Sequence, residues 1–537
     1  MRLFCLMSYN YIIMVKFLKF LVYLIALAAT VVYIGYRLAF TMPFNLYAID
    51  IIFGLIVIIV ELIEALEFGV YFWHVLRPEK VSPKAPKIKD EDYPDVDVFV
   101  ATYNEDEELL AKTLEACSKM KYPNKKKVHI YLCDDGHRDN LKKLAKKYGA
   151  EHIVRDNNNF AKAGNYNHAL KVTNSPYIAI FDADMRPTPD FLIKTVPFFH
   201  DDEKVGFVQA PQSFKNPDIF QARLSKQTPF EQDYFYHYIQ IARNKTNSVI
   251  MCGTNCVLSR LALKKAGGFA QATIAEDVAT GMLIERKGFR GIAIDDVIAH
   301  GESVNSVPAF LKQRSRWGRG CIQTAKAYGI FRFRGLKLSQ RLDYFVAINY
   351  WCFGLKRMLY MILPLLFAFI GIIAIRGDIV VFSIIFFTQY LLKRFVIDWL
   401  ERGYKSSTWS KIYEIIQAPY MAVVIFGELI GISSKKFSVT PKGNSNQKRG
   451  GDLRLTIAHL LLFGANIAGI IVAAIRVQDT GINLYLIPII WMAINTVYLL
   501  FALLFDFRRS RQYKNFKPNA VKHYGIKSYL GLLKRGS

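Results

Sequence analysis

The amino-acid sequence predicts an α/β domain with a mostly parallel sheet, inserted into an all-α bundle of about six transmembrane helices with amphipathic interface helices. Three observations support this fold class. Hydrophobic residues make up 52% of the 537 residues, yet 21% are charged and the formal net charge is +26. The long apolar runs lie towards the two ends of the chain. Between them, short apolar strand patterns alternate with helical patterns, as in a sheet covered by helices on both faces.

The transmembrane helices are predicted from apolar stretches of roughly 20 residues, the length needed to cross a bilayer. Six such stretches are residues 18–40, 46–76, 355–375, 379–400, 455–475 and 484–505. The short links contain almost no Lys or Arg, whereas the middle segment and the tail are strongly basic. The positive-inside tendency therefore places the middle segment and both termini in the cytosol. We expect a multi-pass protein of the plasma (inner, cytoplasmic) membrane.

Two further stretches predict interface helices. Residues 411–433 are apolar but contain Glu414, Gln417, Pro419 and Glu428, which favours a helix lying at the cytosolic surface of the bilayer. Residues 331–350 combine basic and aromatic side chains in a similar way. The predicted organisation is two transmembrane helices (1–76), a cytosolic domain (77–330), interface helices with transmembrane helices 3 and 4 (331–433), a loop (434–453), transmembrane helices 5 and 6 (454–506) and a basic tail (507–537).

Polar side chains follow three predicted strands of the cytosolic domain, at 96–101, 128–133 and 177–181. These side chains are Thr102, Tyr103 and Glu105, then Asp135, then Asp182 and Asp184. Ligands of parallel α/β sheets bind beyond the carboxyl ends of the strands. Two carboxylates in an Asp-x-Asp pattern suit Mg²⁺ or Mn²⁺, with diphosphate oxygens at other positions. Any one pair alone is more typical of a turn or a helix N-cap, but three such clusters at three strand ends favour one shared ligand site.

Other candidate residues lie further along the chain. Asp277, next to Glu276, is either the N-cap of a helix over 278–287 or a general base at the start of that helix. Arg316 suits a diphosphate, and Trp317 suits stacking on a sugar ring, although both also fit an interfacial helix that touches lipid headgroups. Lys162 is a further candidate for phosphate contact. The seven scattered cysteines form no CxxC unit and predict neither disulfides nor a zinc site.

In order, Asp135, Asp182-Ala183-Asp184, Glu276-Asp277 and Gln313-Arg314-Ser315-Arg316-Trp317 resemble the D, DxD, ED and Q(Q/R)xRW motifs of processive family 2 glycosyltransferases. These enzymes are the membrane synthases of cellulose, curdlan, hyaluronan and chitin. Within the family, the chain most resembles bacterial cellulose synthase catalytic subunits, over roughly residues 95–445. Further similar segments are 161–165, 207–212, Cys252-Gly253-Thr254 and the FxVTxK-like segment Phe437–Gly443.

The resemblance implies a GT-A-like cytosolic domain that transfers a sugar from a UDP-sugar with inversion. Asp277, beside Glu276, would accept the proton of the acceptor hydroxyl. Asp184, with Asp182, would hold Mg²⁺ or Mn²⁺. The implied donor-binding residues are Thr102, Tyr103, Glu105, Asp135, Lys162, Asp182, Gln313 and Arg316, with Phe437, Val439, Thr440 and Lys442 in a gating loop. The implied acceptor-site residues are Trp317, Cys252 and Gly253.

The expected reaction is polymerisation of glucose from UDP-glucose into a β-glucan, which leaves through a channel between the transmembrane helices. Glu61, Glu64 and Glu67 share one face of the second predicted helix and are expected to face a cavity or a partner. Aromatic residues near the path would either stack on the polymer or anchor the helices at the interface. These aromatic residues are Tyr350, Trp351, Tyr360, Tyr390 and Trp399. The expected partners are the UDP-sugar, the growing polysaccharide and the lipid bilayer; the oligomeric state stays open.

The sequence departs from the cellulose synthase pattern in three places. Ala275 replaces the Thr of the TED motif, and Met185 follows the DxD where a His is common. About 30 residues follow the last predicted span, so we expect no cyclic-dinucleotide-binding domain, which favours a single-chain capsular or exopolysaccharide synthase. The alternatives are the same mechanism with UDP-N-acetylglucosamine, a non-processive lipid-linked sugar transferase, or a transporter without catalysis. The basic charge is explained by membrane flanks and a nucleotide-sugar site, so we predict no nucleic-acid partner.

Overall fold

The computed structural model describes residues 2–76, 82–224, 228, 230–304, 306–332, 334–400, 407–432, 451–480 and 485–510. The predicted gating-loop residues Phe437, Val439, Thr440 and Lys442 lie outside these ranges, as does the tail beyond residue 510. The side chain of Trp399 is likewise outside the described part.

The cytosolic domain is built on a seven-stranded sheet with the order β3-β2-β1-β4-β8-β6-β9. Only β8 runs antiparallel to its neighbours β4 and β6, so the prediction of a mostly parallel sheet is confirmed. A second sheet has the order β5-β10-β7. The strands are β1 Val96–Thr102, β2 Val128–Asp134, β3 Ala150–Ile153, β4 Tyr177–Asp182, β5 Arg186–Pro187, β6 Val205–Gln209, β7 Ser213–Phe214, β8 Cys256–Ser259, β9 Arg290–Ala293 and β10 Ala299–Gly301.

The helices follow the chain in the order α1 Arg2–Phe40, α2 Ala48–Leu76, α3 Glu107–Ser118, α4 Asn140–Lys147, α5 Ala161–Val172, α6 Phe191–Thr195, α7 Ile219–Arg223, α8 Gln240–Arg243, α9 Arg260–Ala266, α10 Glu276–Arg286, α11 Val307–Tyr328, α12 Leu338–Asn349, α13 Phe353–Ile370, α14 Ile379–Leu400, α15 Ser407–Leu429, α16 Leu453–Thr480 and α17 Leu486–Phe507. A π-helical turn over Phe235–Ile239 precedes α8.

The sheet has a hydrophobic core on each face, as expected for strands without a polar side. On β1, Val96, Val98 and Val100 join the core that contains apolar residues of α3, α4 and α6. Phe99, which points to the other face, joins the core that contains residues of α5, α9 and α10. The buried Asp97 on the same strand is compensated by Arg260 at 2.6 Å. Two buried faces fix β1 in the centre and therefore fix the position of its carboxyl end.

In the part of the chain that the structure describes, six helical segments are long and apolar enough to cross a membrane, which agrees with the predicted number. They are Phe17–Phe40, Leu338–Ile370, Ile379–Ile397, Ser407–Leu429, Leu453–Val477 and Leu486–Phe507. The membership differs from the prediction at two places. Helix α2 contains Asp50, Glu61, Glu64 and Glu67 and is not among the six, although it is 29 residues long. Helix α15, predicted to lie at the interface, is among them.

Helix α15 lies in the interior of the described structure. Its buried residues include Trp409, Ile416, Ala418, Met421 and Ile425, which spread around much of the helix. These residues contact α11, α13 and α17. A helix with only one apolar face would bury a narrower stripe. The polar residues Gln417 and Glu428, on which the interface prediction depended, are themselves buried.

The three glutamates of α2 each meet a polar partner on another helix. Glu61 accepts hydrogen bonds from Arg37 Nε at 2.8 Å and Tyr33 Oη at 2.7 Å on α1. On α13, Tyr360 Oη donates to Glu64 at 3.1 Å and Lys356 Nζ donates to Glu67 at 2.8 Å. We expected these glutamates to face either a cavity or a partner, and each of them has a polar partner on a neighbouring helix.

Candidate active site

The polar residues at the strand ends lie side by side at one edge of the sheet. Thr102 and Asp134 are the last residues of β1 and β2 and are paired in register. Asp182 ends β4 and is paired with Ala101 of β1. Because these three strands are parallel neighbours, the residues that follow them open into one crevice.

At the end of β2, Asp135 forms a buried two-point ion pair with Arg155. The distances are 2.7 Å from Arg155 Nε to Oδ1 and 2.8 Å from Nη2 to Oδ2. The same guanidinium donates to the carbonyl oxygens of Asn159 and Ala161 at 2.7 and 2.9 Å. Arg155 therefore fixes both Asp135 and the turn that leads into α5. Sequence reasoning did not single out Arg155, because only the tertiary fold brings it to the Asp135 strand end.

The turn after β1 is held by Glu105 and Arg138. The Glu105 carboxylate accepts from Thr102 Oγ1 and from the backbone N–H of Tyr103, both at 2.8 Å. Arg138 donates to Thr102 Oγ1 at 2.6 Å and to the Glu105 carbonyl at 2.7 Å. The Tyr103 ring remains 46% exposed. In this turn, Thr102 and Glu105 shape the backbone, and Tyr103 offers an accessible aromatic surface.

Lys162, in the first turn of α5, connects two segments of the site. Its Nζ donates to Asp182 Oδ1 at 2.5 Å and to the Gly253 carbonyl at 2.7 Å. Burial alone would lower the pKa of Lys162, but the carboxylates of Asp182, Glu276 and Asp277 outweigh burial and raise it. The side chain is therefore a fixed positive charge between the strand end and the two acids of α10.

The Asp182-Ala183-Asp184 segment supplies two carboxylates. Asp184 is 1% exposed, whereas the side chain of Asp182 is 33% exposed. Among the described residues no group of three or more His, Cys, Asp or Glu is arranged to hold a metal ion. Two carboxylates alone fit a hard divalent cation whose other positions are filled by diphosphate oxygens and water.

Glu276 and Asp277 open helix α10. The helix begins at Glu276 with Ala275 as its N-cap, so the alternative that Asp277 is the N-cap is wrong. Asp277 Oδ1 accepts from the backbone N–H of Val278 at 2.8 Å. Burial, and after it the neighbouring Asp277 carboxylate, raises the pKa of Glu276 to about 7. Burial also raises the pKa of Asp277, against the opposing effects of Val278, Lys162 and Arg316.

Gly253 packs directly against Asp277. A Cβ placed on Gly253 would lie 2.9 Å from Asp277 Oδ2, and the Gly253 φ of +72° is strained for other residues. The segment is anchored on both sides: Cys252 N donates to Gln209 Oε1 at 2.8 Å, and Asp182 N donates to Thr254 Oγ1 at 3.0 Å. Cys252 and Gly253, predicted at the acceptor site, therefore border Asp277. Burial, followed by the Asp277 charge, raises the pKa of the Cys252 thiol, so it stays neutral.

Helix α11 packs against the loop that precedes the acids. Thr273 Oγ1 donates to the Gly320 carbonyl at 2.9 Å, which ties α11 to the loop before Glu276. The Arg316 charge, like that of Lys162, lowers the pKa of both Glu276 and Asp277. Trp317 is 6.3 Å from Trp351, with the two rings at 74°. Gln313 lines a separate cavity with Phe214, Glu231 and Phe310.

Comparisons with known proteins agree with this geometry. Residues 97–267 match the model of the family described as Glycosyl transferase family 2. Residues 97–267 are a family 2 glycosyl transferase domain. The chain is 31% identical over 453 residues to the cellulose synthase catalytic subunit (UDP-forming) of Pseudomonas fluorescens, covering 83% of this chain and 60% of that protein. It is 30% identical over 496 residues to the corresponding subunit of Komagataeibacter sucrofermentans, covering 89% and 65%. The chain thus spans under two thirds of the length of these relatives.

A solved structure with partial similarity is a mannosyltransferase of Pyrobaculum calidifontis in complex with GDP-mannose and Mn²⁺. Its TM-score is 0.48 at 18% identity, covering 77% of this chain and all of that chain.

The glycosyl transferase domain and its likeness to bacterial cellulose synthase subunits confirm the resemblance predicted from the motifs. Of the predicted residues, the structure brings together Lys162, Asp182, Gly253, Glu276 and Asp277 through direct contacts or shared electrostatics. Asp135, Thr102, Tyr103 and Glu105 lie at the adjacent strand ends. Gln313 instead lines the cavity that also contains Glu231.

Proposed function

We propose that the protein is a processive inverting glycosyltransferase that polymerises glucose from UDP-glucose into a β-glucan. The observation that carries the proposal is the contact set Lys162–Asp182, Lys162–Gly253 and Gly253–Asp277, which places a cation, a strand-end carboxylate and a buried acid in one crevice. The UDP-forming activity named for the cellulose synthase relatives supports UDP as the leaving group. Glucose is the donor sugar that this likeness favours.

Asp277 is proposed as the general base. Its carboxylate is partly buried at the start of α10, and this burial raises its pKa towards the range in which a carboxylate accepts a proton effectively. The proton of the acceptor hydroxyl passes to Asp277 as that oxygen attacks the anomeric carbon and the bond from the sugar to the diphosphate breaks. Glu276 shares the buried charge and raises the basicity of the pair, because two neighbouring carboxylates resist simultaneous ionisation.

The leaving diphosphate is proposed to bind on the opposite side of the crevice. Lys162 and Arg316 supply positive charge there that is already in place before the reaction. Asp184 and Asp182 would hold Mg²⁺ or Mn²⁺, which when bound neutralises charge on the departing UDP. Thr102, Tyr103 and Asp135 would hold the nucleoside at the ends of β1 and β2, with the Tyr103 ring exposed for stacking.

Secretion of the polymer is proposed to use the helices that flank the domain. A polar chain cannot cross lipid without polar partners. Between α2 and α13 the half-buried Glu64 and Tyr360 are hydrogen-bonded, and a run of aromatic contacts continues through Trp491 and Phe386 to Tyr390. We place the catalytic domain and both termini in the cytosol. This placement requires an even number of crossings of the inner membrane before the domain, supplied by α1 and α2, and an even number after it.

The test uses full-length protein in proteoliposomes with Mg²⁺ or Mn²⁺ and labelled UDP-glucose or UDP-N-acetylglucosamine. High-molecular-weight product from UDP-glucose that a linkage-specific β-glucanase digests supports the proposal. Product from the N-acetyl sugar alone would keep the mechanism and replace glucose. Transfer of single sugars to lipid, without polymer, would replace processive synthesis with the non-processive reaction.

Replacing Asp277 with Asn should lower polymer synthesis about 10²- to 10⁴-fold while UDP still binds, because the change removes the base and keeps the shape. The matched control is Asp201→Asn, on an exposed loop of the same domain. Polymer synthesis at the parent rate in the Asp277 variant would remove this residue from the base role.

A further inference from the structure

Helix α11 carries a buried ion pair that the proposed chemistry does not use. Arg314 Nη2 contacts Glu231 Oε2, and the two side chains are 6% and 11% exposed. With the Gln232 amide oriented so that its oxygen faces the guanidinium, Gln232 accepts from Arg314 Nη2 and Nη1 at 2.7 and 2.9 Å. The edge of the guanidinium is therefore bound to the 231–232 segment.

The faces of the same guanidinium are covered by aromatic rings. The Arg314 guanidinium carbon lies 4.3 Å from the centroid of the Trp317 ring and 4.8 Å from that of Phe310. A planar guanidinium is suited to this arrangement, because it stacks on rings while its edge donates hydrogen bonds. Trp317 is thus contacted by Arg314 and, edge to face, by Trp351.

Glu231 is in turn held by its own neighbours. Its backbone N–H donates to Asp218 Oδ2 at 3.1 Å, and Asp218 Oδ1 accepts from the backbone of Gln221 as the cap of α7. Gln417 of α15 donates to Glu231 Oε1 at 3.5 Å. Contacts therefore run from α7 and α15 to Glu231, from Glu231 to Arg314, and from Arg314 to the indole of Trp317.

A buried ion pair is a weak source of stability, since desolvation offsets most of the attraction. Its geometric effect is stronger, because the guanidinium plane and the carboxylate fix each other's orientation. We propose that Arg314 and Glu231 are positioning residues that set the plane of the Trp317 indole, on which the acceptor sugar stacks. They thereby favour transfer to the sugar hydroxyl over transfer to water. This inference rests on the proposed function and deepens it.

The first test measures Trp317 without turnover. Two indoles 6.3 Å apart at a large angle give coupled bands in near-ultraviolet circular dichroism. Trp317→Phe defines the part of the spectrum that depends on this residue. Arg314→Lys keeps the positive charge but loses the planar guanidinium. This variant and Glu231→Gln should each lose most of the Trp317-dependent part of the spectrum. The controls Arg332→Lys and Glu203→Gln, at exposed positions, should retain it. A parental spectrum in Arg314→Lys would overturn the inference.

The second test separates transfer to sugar from hydrolysis of UDP-glucose by water, which gives glucose and UDP. Both variants should release UDP within about threefold of the parent rate and form polymer at least roughly tenfold more slowly. Polymer at the parent rate would overturn the inference. Joint loss of UDP binding, hydrolysis and polymer would also overturn it, because Arg314 would then act on the donor. If the parent protein turns over neither UDP-glucose nor UDP-N-acetylglucosamine, the proposed function is refuted. The circular dichroism spectra would still decide whether Arg314 and Glu231 position Trp317.

Discussion

Replacing Gly253 with Ala is the most direct test of the site geometry. Gly253 lies between two parts of the proposed machinery: its carbonyl accepts from Lys162 Nζ at 2.7 Å, and its Cα faces the Asp277 carboxylate. A Cβ added there would lie 2.9 Å from Asp277 Oδ2, 3.3 Å from Asp277 Cβ and 3.4 Å from Asp277 Cγ. Either the carboxylate or the Gly253 backbone must move, and a moved backbone also shifts Lys162.

The cost has two parts. A non-glycine residue in the left-handed region costs roughly 1–2 kcal/mol. Overpacking against a fixed neighbour adds roughly 1–3 kcal/mol. Because a misplacement of about 1 Å at the chemistry can lower a rate about 10²-fold, we expect polymer synthesis to fall by that factor. The fall should appear in kcat, with UDP affinity nearly retained.

Gly149→Ala is the matched control. Gly149 has φ +71°, almost the same as the +72° of Gly253, but a Cβ there meets nothing within 4 Å. This control measures the backbone strain alone, by the loss of thermal stability and by the rate of polymer synthesis in proteoliposomes. If Gly253→Ala reduces the rate no more than Gly149→Ala does, the contact with Asp277 does not govern catalysis and the proposed placement of the base is wrong.

Three further predictions concern charge. Burial raises the pKa of Glu276 to about 7 and also raises that of Asp277, so the pair takes up protons as pH falls while still above the ordinary carboxyl pKa of about 4. The acid side of the pH–rate profile should therefore lie above that ordinary pKa. Glu276→Gln should move the acid side of the pH–rate profile to lower pH. Lys162→Met should move it to higher pH, because Lys162 lowers the pKa of both acids. If neither variant moves the profile, Glu276 and Asp277 are not the groups that titrate in it. Arg155→Met should lower the free energy of unfolding by about 3–5 kcal/mol in thermal unfolding, because it leaves the buried Asp135 unpaired, and unchanged stability would refute that role for the ion pair.

The sheet could be predicted from the sequence because its strands are short apolar runs that end in polar residues. The predicted strand over 128–133 is observed as Val128–Asp134, and the predicted strand over 177–181 as Tyr177–Asp182. The extra residue of the second strand is Asp182, a predicted site residue, and that of the first is Asp134, directly before the predicted site residue Asp135; both take part in the ladder. The position of β8 could not be predicted from its own residues. It follows both β4 and β6 in the sequence, and its place between them is decided by tertiary packing.

The candidate site could be predicted less completely. Asp182, Asp277 and Lys162 belong to recognisable motifs, and the structure places them together. Arg155 and Glu231 belong to no motif, and each acts through a partner that is distant in sequence, Asp135 or Arg314. Such partners are found only when the fold is known. The interface helix over 411–433 stays a prediction, because polar residues in an apolar helix mark either a wet face or a buried contact; the structure adds that Gln417 and Glu428 are buried within the protein.

Helix α11 joins the glycosyl transferase domain to the apolar helices, and two glycines make this possible. A Cβ on Gly320 would lie 2.5 Å from Ala275 Cβ, immediately before Glu276 and the proposed base Asp277. A Cβ on Gly318 would lie 2.9 Å from Ile425 and 3.1 Å from Met421, both on α15. Glycines two residues apart point to opposite sides of a helix, so α11 is packed closely against the acids on one side and α15 on the other. The proposed base and the apolar helices are therefore held in a fixed relation by a single helix, so in the proposed reaction a polymer would pass from Asp277 to these helices without an intervening flexible joint.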